Sequence, residues 1–200
     1  MARARPIPLR SRLQRVVHQK AQPSEVLVLT LAAGIAVQSA VQEIDSRVLP
    51  DLKWPNDLLI TGRKFCGILT EMSAEATRVR YIVVGIGINV NQREFPDELA
   101  QTATSLRLST GAEWSRVELC AALLKSLDRE YKALLSGAVS RADILRRFEE
   151  QSSSTRDRQV HVEENGGFEG VTAGLDSRGF LQVRTDTGMR TVLSGTVRLK

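Results

Sequence analysis

The sequence predicts an α+β fold: a mixed or antiparallel sheet packed with helices, followed by a small SH3-like β-barrel. Three observations predict it. A long, largely apolar helical segment begins at Pro23. Strand-like apolar runs fill residues 52–90. After a Ser-rich break at 152–155, five short strands separated by tight-turn residues occupy the rest of the chain. With 200 residues, 42% of them apolar and 26% charged, the chain is long enough to bury a sizeable core and too apolar to be disordered as a whole.

Residues 1–22 have no clear period. Arginines alternate with Ala2, Ala4, Pro6 and Pro8, which predicts a basic, poorly ordered arm; an Arg-rich, acid-free start also suits a transit peptide. The chain holds 28 Lys and Arg against 23 Asp and Glu, a net charge of +5. Six of the bases (Arg3, Arg5, Arg10, Arg12, Arg15, Lys20) stand in residues 1–20 with no acid among them, so residues 21–200 carry 22 bases and 23 acids. A nucleic-acid binder spreads positive charge over a folded face. Here the charge belongs to the arm.

From Pro23 the pattern turns helical. Ser24 suits an N-cap, and Glu25 meets the positive end of the helix dipole. Leu27, Leu31, Ile35 and Val41 follow at roughly helical spacing, and Val28, Ala32 and Ala36 widen the apolar face. That much apolar surface requires a sheet to pack against, and Pro50 closes the connection. Residues 52–54 and 58–60 read as strands flanking Pro55-Asn56-Asp57. Thr61-Gly62-Arg63-Lys64 reads as a hairpin turn, and 65–72 and 78–90 as long neighbouring strands. Residues 91–111 are loop-rich, with one short turn near 105–108. Helices follow at 115–136 and 141–151. The last strands are expected at 158–162, 169–175, 180–184, 190–193 and 196–199. Asp176-Ser177-Arg178-Gly179 and Asp186-Thr187-Gly188 suit tight turns. The expected organisation is an arm at 1–22, a larger unit at 23–154, and a small unit at 155–200 that leans on the larger one.

The sparse cysteines and histidines exclude whole classes. Cys66 and Cys120 are too few for a disulfide scaffold or a four-thiolate zinc site, and His18 and His161 lack ligand spacing, so no metal-ligating set is predicted. Both thiols fit a reducing cytoplasm, with Cys66 buried in a strand and Cys120 on the apolar face of a helix. No uninterrupted apolar run reaches the ~18 residues of a membrane span.

Three clusters carry chemistry. Lys53-Trp54-Pro55-Asn56-Asp57 places a cation, an aromatic, an amide and a carboxylate between two strands; an ordinary turn with a packed Trp accounts for it equally well. In Gly62-Arg63-Lys64-Phe65-Cys66-Gly67-Ile68-Leu69, two cations open a strand that Gly67 interrupts. The glycine suits close approach of a ligand or another backbone, and the cations alternatively suit a solvated turn that discourages edge pairing. In Val83-Val84-Gly85-Ile86-Gly87-Ile88-Asn89-Val90-Asn91, two glycines weaken an apolar strand, which points to close contact there. No helix with a third glycine follows, so the dinucleotide-binding reading fails.

Taken in order, KWPND, GRKFCGIL and VVGIGINVN, then two helices and a small β unit ending in LSGTV, resemble the bacterial biotin protein ligases over about 23–200. The resemblance implies a class II synthetase-like catalytic domain. It also implies an ATP-dependent reaction with Mg²⁺, in which the biotin carboxylate becomes biotinyl-5′-AMP and biotin then passes to one lysine of the biotin carboxyl carrier protein of acetyl-CoA carboxylase. By the same resemblance Lys64 contacts biotin and the acyl-phosphate oxygens, Lys53 lies near the nucleotide phosphates, and Asn56 and Asn89 lie on the ATP/Mg²⁺ side. Asp57 is implied near the acceptor lysine, Gly67, Gly85 and Gly87 line the pocket, and Trp54 belongs to the binding set.

The chain also departs from the family pattern. A Ser-Thr-Asn type turn and a Gly-Arg-rich loop that retains the adenylate are expected before the first helix. Neither occurs here, and the first glycine is Gly34. Weak biotin binding is therefore expected, and a catalytically impaired or non-catalytic relative stays an alternative, as does a lipoate or octanoate ligase of the same superfamily. The sequence shows no N-terminal helix-turn-helix segment, so specific DNA binding is not predicted. The long strand edges suit pairing with a second copy or with the carrier protein.

Overall fold

The computed structural model describes residues 11–17, 25–75, 78–164, 166–193 and 196–200. A five-stranded antiparallel sheet is built from β1 (Ser11–Val17), β2 (Asp51–Lys53), β3 (Asp57–Ile60), β4 (Arg63–Glu75) and β5 (Arg78–Ile88), in the order β1-β5-β4-β3-β2. The β3–β4 hairpin turns on Thr61 and Gly62, both at positive φ, as a two-residue turn matched to strand twist requires. Along β5, Ile82, Val84, Ile86 and Ile88 are buried, while Val83, Gly85 and Gly87 are only partly covered. The period of two turns one face to the core and leaves the glycines on the other.

Helix α1 (Glu25–Ile44) covers the apolar face of this sheet, and α3 (Arg116–Leu135) and α4 (Arg141–Glu150) pack against α1 in turn. By length and composition α1 could cross a membrane, but 67% of that window is buried inside the fold. It is apolar all round because it has neighbours all round. In chain order α2 (Leu106–Thr110) and the segment leading into it connect β5 to α3. Ser115 caps α3, and Ser140 and Asp143 form a reciprocal capping box on α4. The helices are pinned by Arg147, which donates to both oxygens of the buried Glu130 at 2.8 and 2.9 Å.

A second antiparallel sheet holds β6 (Arg156–Glu163), β7 (Phe168–Leu175), β8 (Leu181–Thr185), β9 (Gly188–Val192) and β10 (Thr196–Leu199), ordered β10-β6-β7-β8-β9. Its ends, β9 and β10, do not pair with each other among the described residues. It is locked to the first unit by polar contacts. Ser153 donates through N and Oγ to Asp51 at 2.7 Å each, and Glu149 accepts from Arg156 Nε at 2.8 Å and from the Leu175 amide at 2.5 Å. Apolar side chains of both units form one continuous cluster.

Two expectations need correction. The basic arm at 1–22 is not unstructured throughout, because residues 11–17 form β1, paired in register with residues 82–88 of β5. Nothing local marks that strand; a partner some 70 residues away makes it. The rest of the arm, and Ser24 as N-cap, lie outside the described residues. Cys120 is exposed, not on the packed face of α3. Leu119, Ala122, Leu123, Ser126 and Glu130 form that face, and Cys120 is turned about 100° from Leu119.

Candidate active site: a glycine-floored cavity with a lysine at its edge

One cross-strand row organises the open face of the first sheet. Lys53 pairs with Asp57, Asp57 with Gly67, Gly67 with Gly87, and Gly87 with Arg12. Directly opposed residues of antiparallel strands share a face, so Lys53, Asp57 and two glycines stand side by side. Gly85, two residues from Gly87, extends the bare floor, and its cross-strand partner Leu69 leaves 63% of its surface exposed. Without side chains at these positions a ligand can lie directly on the strands. A Cβ on Gly85 or Gly87 would meet only a carbonyl oxygen, at 3.5 and 3.7 Å, so folding does not demand glycine there.

Above this floor is a cavity of about 670 Å³ lined by Lys53, Asp57, Lys64, Gly67, Gly85, Gly87 and Asn89 among others. Small-molecule sites span ~300–1,000 Å³. Lys64 reaches the cavity through an irregularity. Leu58 pairs with Cys66 but Leu59 pairs with Lys64, so Phe65 is an extra residue in β4. Such a bulge re-aims the neighbouring side chain. Lys64 Nζ then stands 2.5 Å from Asp57 Oδ1. That oxygen is buried and has no donor in hydrogen-bond geometry, so its contact with Lys64 is charge against charge. On the core side of β4, burial pushes the Cys66 thiol well up, Asp57 adds to the shift, and Lys64 opposes it. Cys66 is therefore an inert thiol.

The far wall comes from the segment between β5 and α2. Phe95, Leu99, Thr102 and Ala103 line the cavity from there. The wall is tied to Lys64 itself: the Lys64 amide donates to Thr102 O at 2.8 Å, and the Thr104 amide to Lys64 O at 2.9 Å. Asn89, at the end of β5, donates from Nδ2 to Thr104 O at 3.0 Å and accepts from Gln92 Nε2 at 3.4 Å. The sequence predicts only a loop here. The apolar pair Phe95 and Leu99 in a polar stretch was the available signal.

Trp54 and Asn56 lie outside the lining. Trp54 is 4% exposed and donates from Nε1 to Gly179 O at 2.9 Å, so it fastens the second sheet instead of a ligand. Gly179 has φ +93, and a Cβ there would lie 3.2–3.4 Å from Leu145, Leu31 and Leu27, so only glycine brings that carbonyl so close. Asn56 clamps β4, donating from Nδ2 to Ile68 O at 2.7 Å and accepting from the Ile68 amide at 2.8 Å. It positions Asp57 beside Gly67 from outside the cavity. Among the described residues no group of three His, Cys, Asp or Glu could hold a metal ion.

The chain around this cavity falls into a known class: residues 13–89 match the Biotin/lipoate A/B protein ligase family. Residues 156–200 match the Biotin protein ligase C terminal domain. The bifunctional ligase/repressor BirA of Bacillus subtilis is 37% identical over 173 residues, which are 86% of this chain and 52% of that protein. The biotin–[acetyl-CoA-carboxylase] ligase of Mycobacterium tuberculosis is 33% identical over 170 residues, 82% of this chain and 59% of that one. The structure of the Aquifex aeolicus biotin protein ligase superposes with a TM-score of 0.81 at 31% identity, covering 94% of this chain and 81% of that one. Its complex with biotin and ATP gives 0.77 at 31% identity over 94% and 78%. The chain belongs to the biotin protein ligase family. It spans between 52% and 59% of these two sequence relatives.

Proposed function

We propose that the cavity binds biotin and ATP, and that the chain joins them as biotinyl-5′-AMP with release of pyrophosphate. It then passes biotin to a lysine of the biotin carboxyl carrier protein, with AMP leaving as the amide forms. The observation that carries this reading is the Lys64 ammonium at the edge of a glycine floor, in a fold shared with a ligase solved with biotin and ATP.

The chemistry sets the demands. A carboxylate must attack an anionic α-phosphate, and two unit charges 4 Å apart repel by ~4 kcal/mol at an effective dielectric near 20. Lys64 offsets that repulsion and stabilises the charge that develops on the acyl-phosphate oxygens. Lys53, in the same row, serves the nucleotide phosphates. Gly67, Gly85 and Gly87 admit the ring system. Asn89, its amide already oriented by Thr104 O and Gln92, stands at the phosphate side. Asn56 contributes by holding β3 against β4. Asp57 is the carboxylate available to take the proton that the acceptor amine must lose. With no metal cage among the described residues, Mg²⁺ would enter on the polyphosphate, which suits its few protein ligands in such sites. The reaction belongs in the cytoplasm, where ATP and carrier protein meet.

The test is direct. The chain is incubated with ATP, Mg²⁺, biotin and carrier protein, with pyrophosphate release followed for the first step and streptavidin detection of the carrier for the second. Pyrophosphate released with biotin and not with lipoate supports the reading. Binding without either product would assign a non-catalytic role.

A further inference from the structure

We propose that Asp57 is a built-in surrogate for the substrate carboxylate: it holds the Lys64 ammonium at the place from which a ligand's carboxyl oxygen must take it, so that binding is an exchange of one carboxylate for another. The inference rests on reading the cavity as a site for a carboxylate-bearing vitamin.

Three observations carry it. First, Lys64 Nζ lies 2.5 Å from Asp57 Oδ1, and both residues line the cavity. Second, the partners differ in freedom. Asp57 sits in register between Lys53 and Gly67, with Asn56 beside it clamped to Ile68, so its backbone is held on three sides. Its side chain is 22% exposed against 47% for Lys64. The lysine stem is the flexible member, so the ammonium moves and the carboxylate stays. Third, Gly67 is the seat on which the lysine lies. A Cβ there would stand 3.0 Å from Lys64 Cε and 3.1 Å from Nζ, tighter than ordinary contact. A side chain at 67 makes the ammonium give way by a few tenths of an ångström and so weakens its seat beside Asp57. In ligand binding Asp57 and Gly67 thus act through Lys64, before Asp57 meets the acceptor amine.

The exchange has two consequences. A ligand must bring a negative charge to separate the pair, which selects carboxylates over neutral analogues of the same shape. Once that carboxylate has become an amide on the acceptor, it competes poorly, and Asp57 reclaims Lys64, favouring release.

The test compares biotin with its alcohol, in which a hydroxymethyl group replaces the carboxylate, by calorimetry on the full chain, wild type and Asp57→Asn. Removing the competitor should tighten biotin by about two- to five-fold, the worth of a half-exposed ion pair, and leave the alcohol unchanged. Gly67→Ala adds a methyl group that both ligands feel, so there the ratio of the two affinities is read, and it should rise. Biotin weakened by Asp57→Asn, or a ratio unchanged in both variants, overturns the proposal. A ligand-free measurement separates it from the reading beneath it. The Lys64 signal in the NMR spectrum of ¹³C-methylated lysines, assigned by its loss in Lys64→Arg, should move in Asp57→Asn. A signal that does not move overturns the proposal. A signal that moves in Asp57→Asn, while the wild-type protein binds neither ligand, refutes the vitamin reading and upholds the pair.

Discussion

Lys64→Ala separates a chemical role from a structural one. The ammonium lies within a cavity but its side chain is 47% exposed. The gross repulsion between a carboxylate and a phosphate oxygen 4 Å apart is ~4 kcal/mol at an effective dielectric of 20. Water reaching a half-exposed group screens part of that, leaving ~2–3 kcal/mol for the lysine to supply, a fall of roughly 30- to 150-fold in the adenylation rate. Folding should lose only ~1–2 kcal/mol, because the ion pair is partly exposed although Asp57 Oδ1 loses its cation. Nor does Lys64 lose its place in the wall, since its ties to Thr102 and Thr104 are backbone hydrogen bonds. Biotin-dependent pyrophosphate release gives the rate, and urea denaturation gives the stability. An unchanged rate, or a stability loss above ~2 kcal/mol that accounts for the rate, would refute the assignment.

Three other outcomes follow from the same contacts. Trp54→Phe leaves the buried Gly179 carbonyl without its donor and should cost ~1–3 kcal/mol in urea melts, through loosening of the second sheet and not through lost chemistry. In native protein a thiol reagent should modify Cys120 quickly and Cys66 only after unfolding, because Cys66 is buried with its thiol pKa pushed up; rapid modification of both would contradict the packing. At Asp143 the hydrogen bonds from Ser140 hold the carboxyl below its usual range. A depressed folded pKa contributes stability above the unfolded value of ~3.9 and loses it as pH falls through the folded one. Ser140→Ala should therefore lower stability at pH 7, with the deficit against wild type shrinking as pH drops below 4, measured by urea midpoints across pH.

The larger part of the cavity lining was legible in the chain because its signals are local. The order Lys53, Asp57, Lys64, Gly67, Gly85, Gly87 and Asn89 depends on residue type and spacing, and the period-two pattern of 82–88 already separates a core face from a bare one. The long helix also announced itself, since an apolar segment needs partners wherever it is placed.

What the folded chain alone decided depends on contacts distant in sequence. Strand β1 exists because β5 offers an edge. Lys64 faces the cavity because an extra residue in β4 shifts its register against β3, and no propensity scale records a bulge. Trp54 and Asn56 share a motif with Asp57 yet serve the scaffold, because Gly179 and Ile68 take their hydrogen bonds first. The segment at 91–105 became a cavity wall through two backbone bonds to Lys64. Composition tells which groups a site can contain. Pairing register tells which of them meet, and register is set by long-range packing that no window of sequence contains.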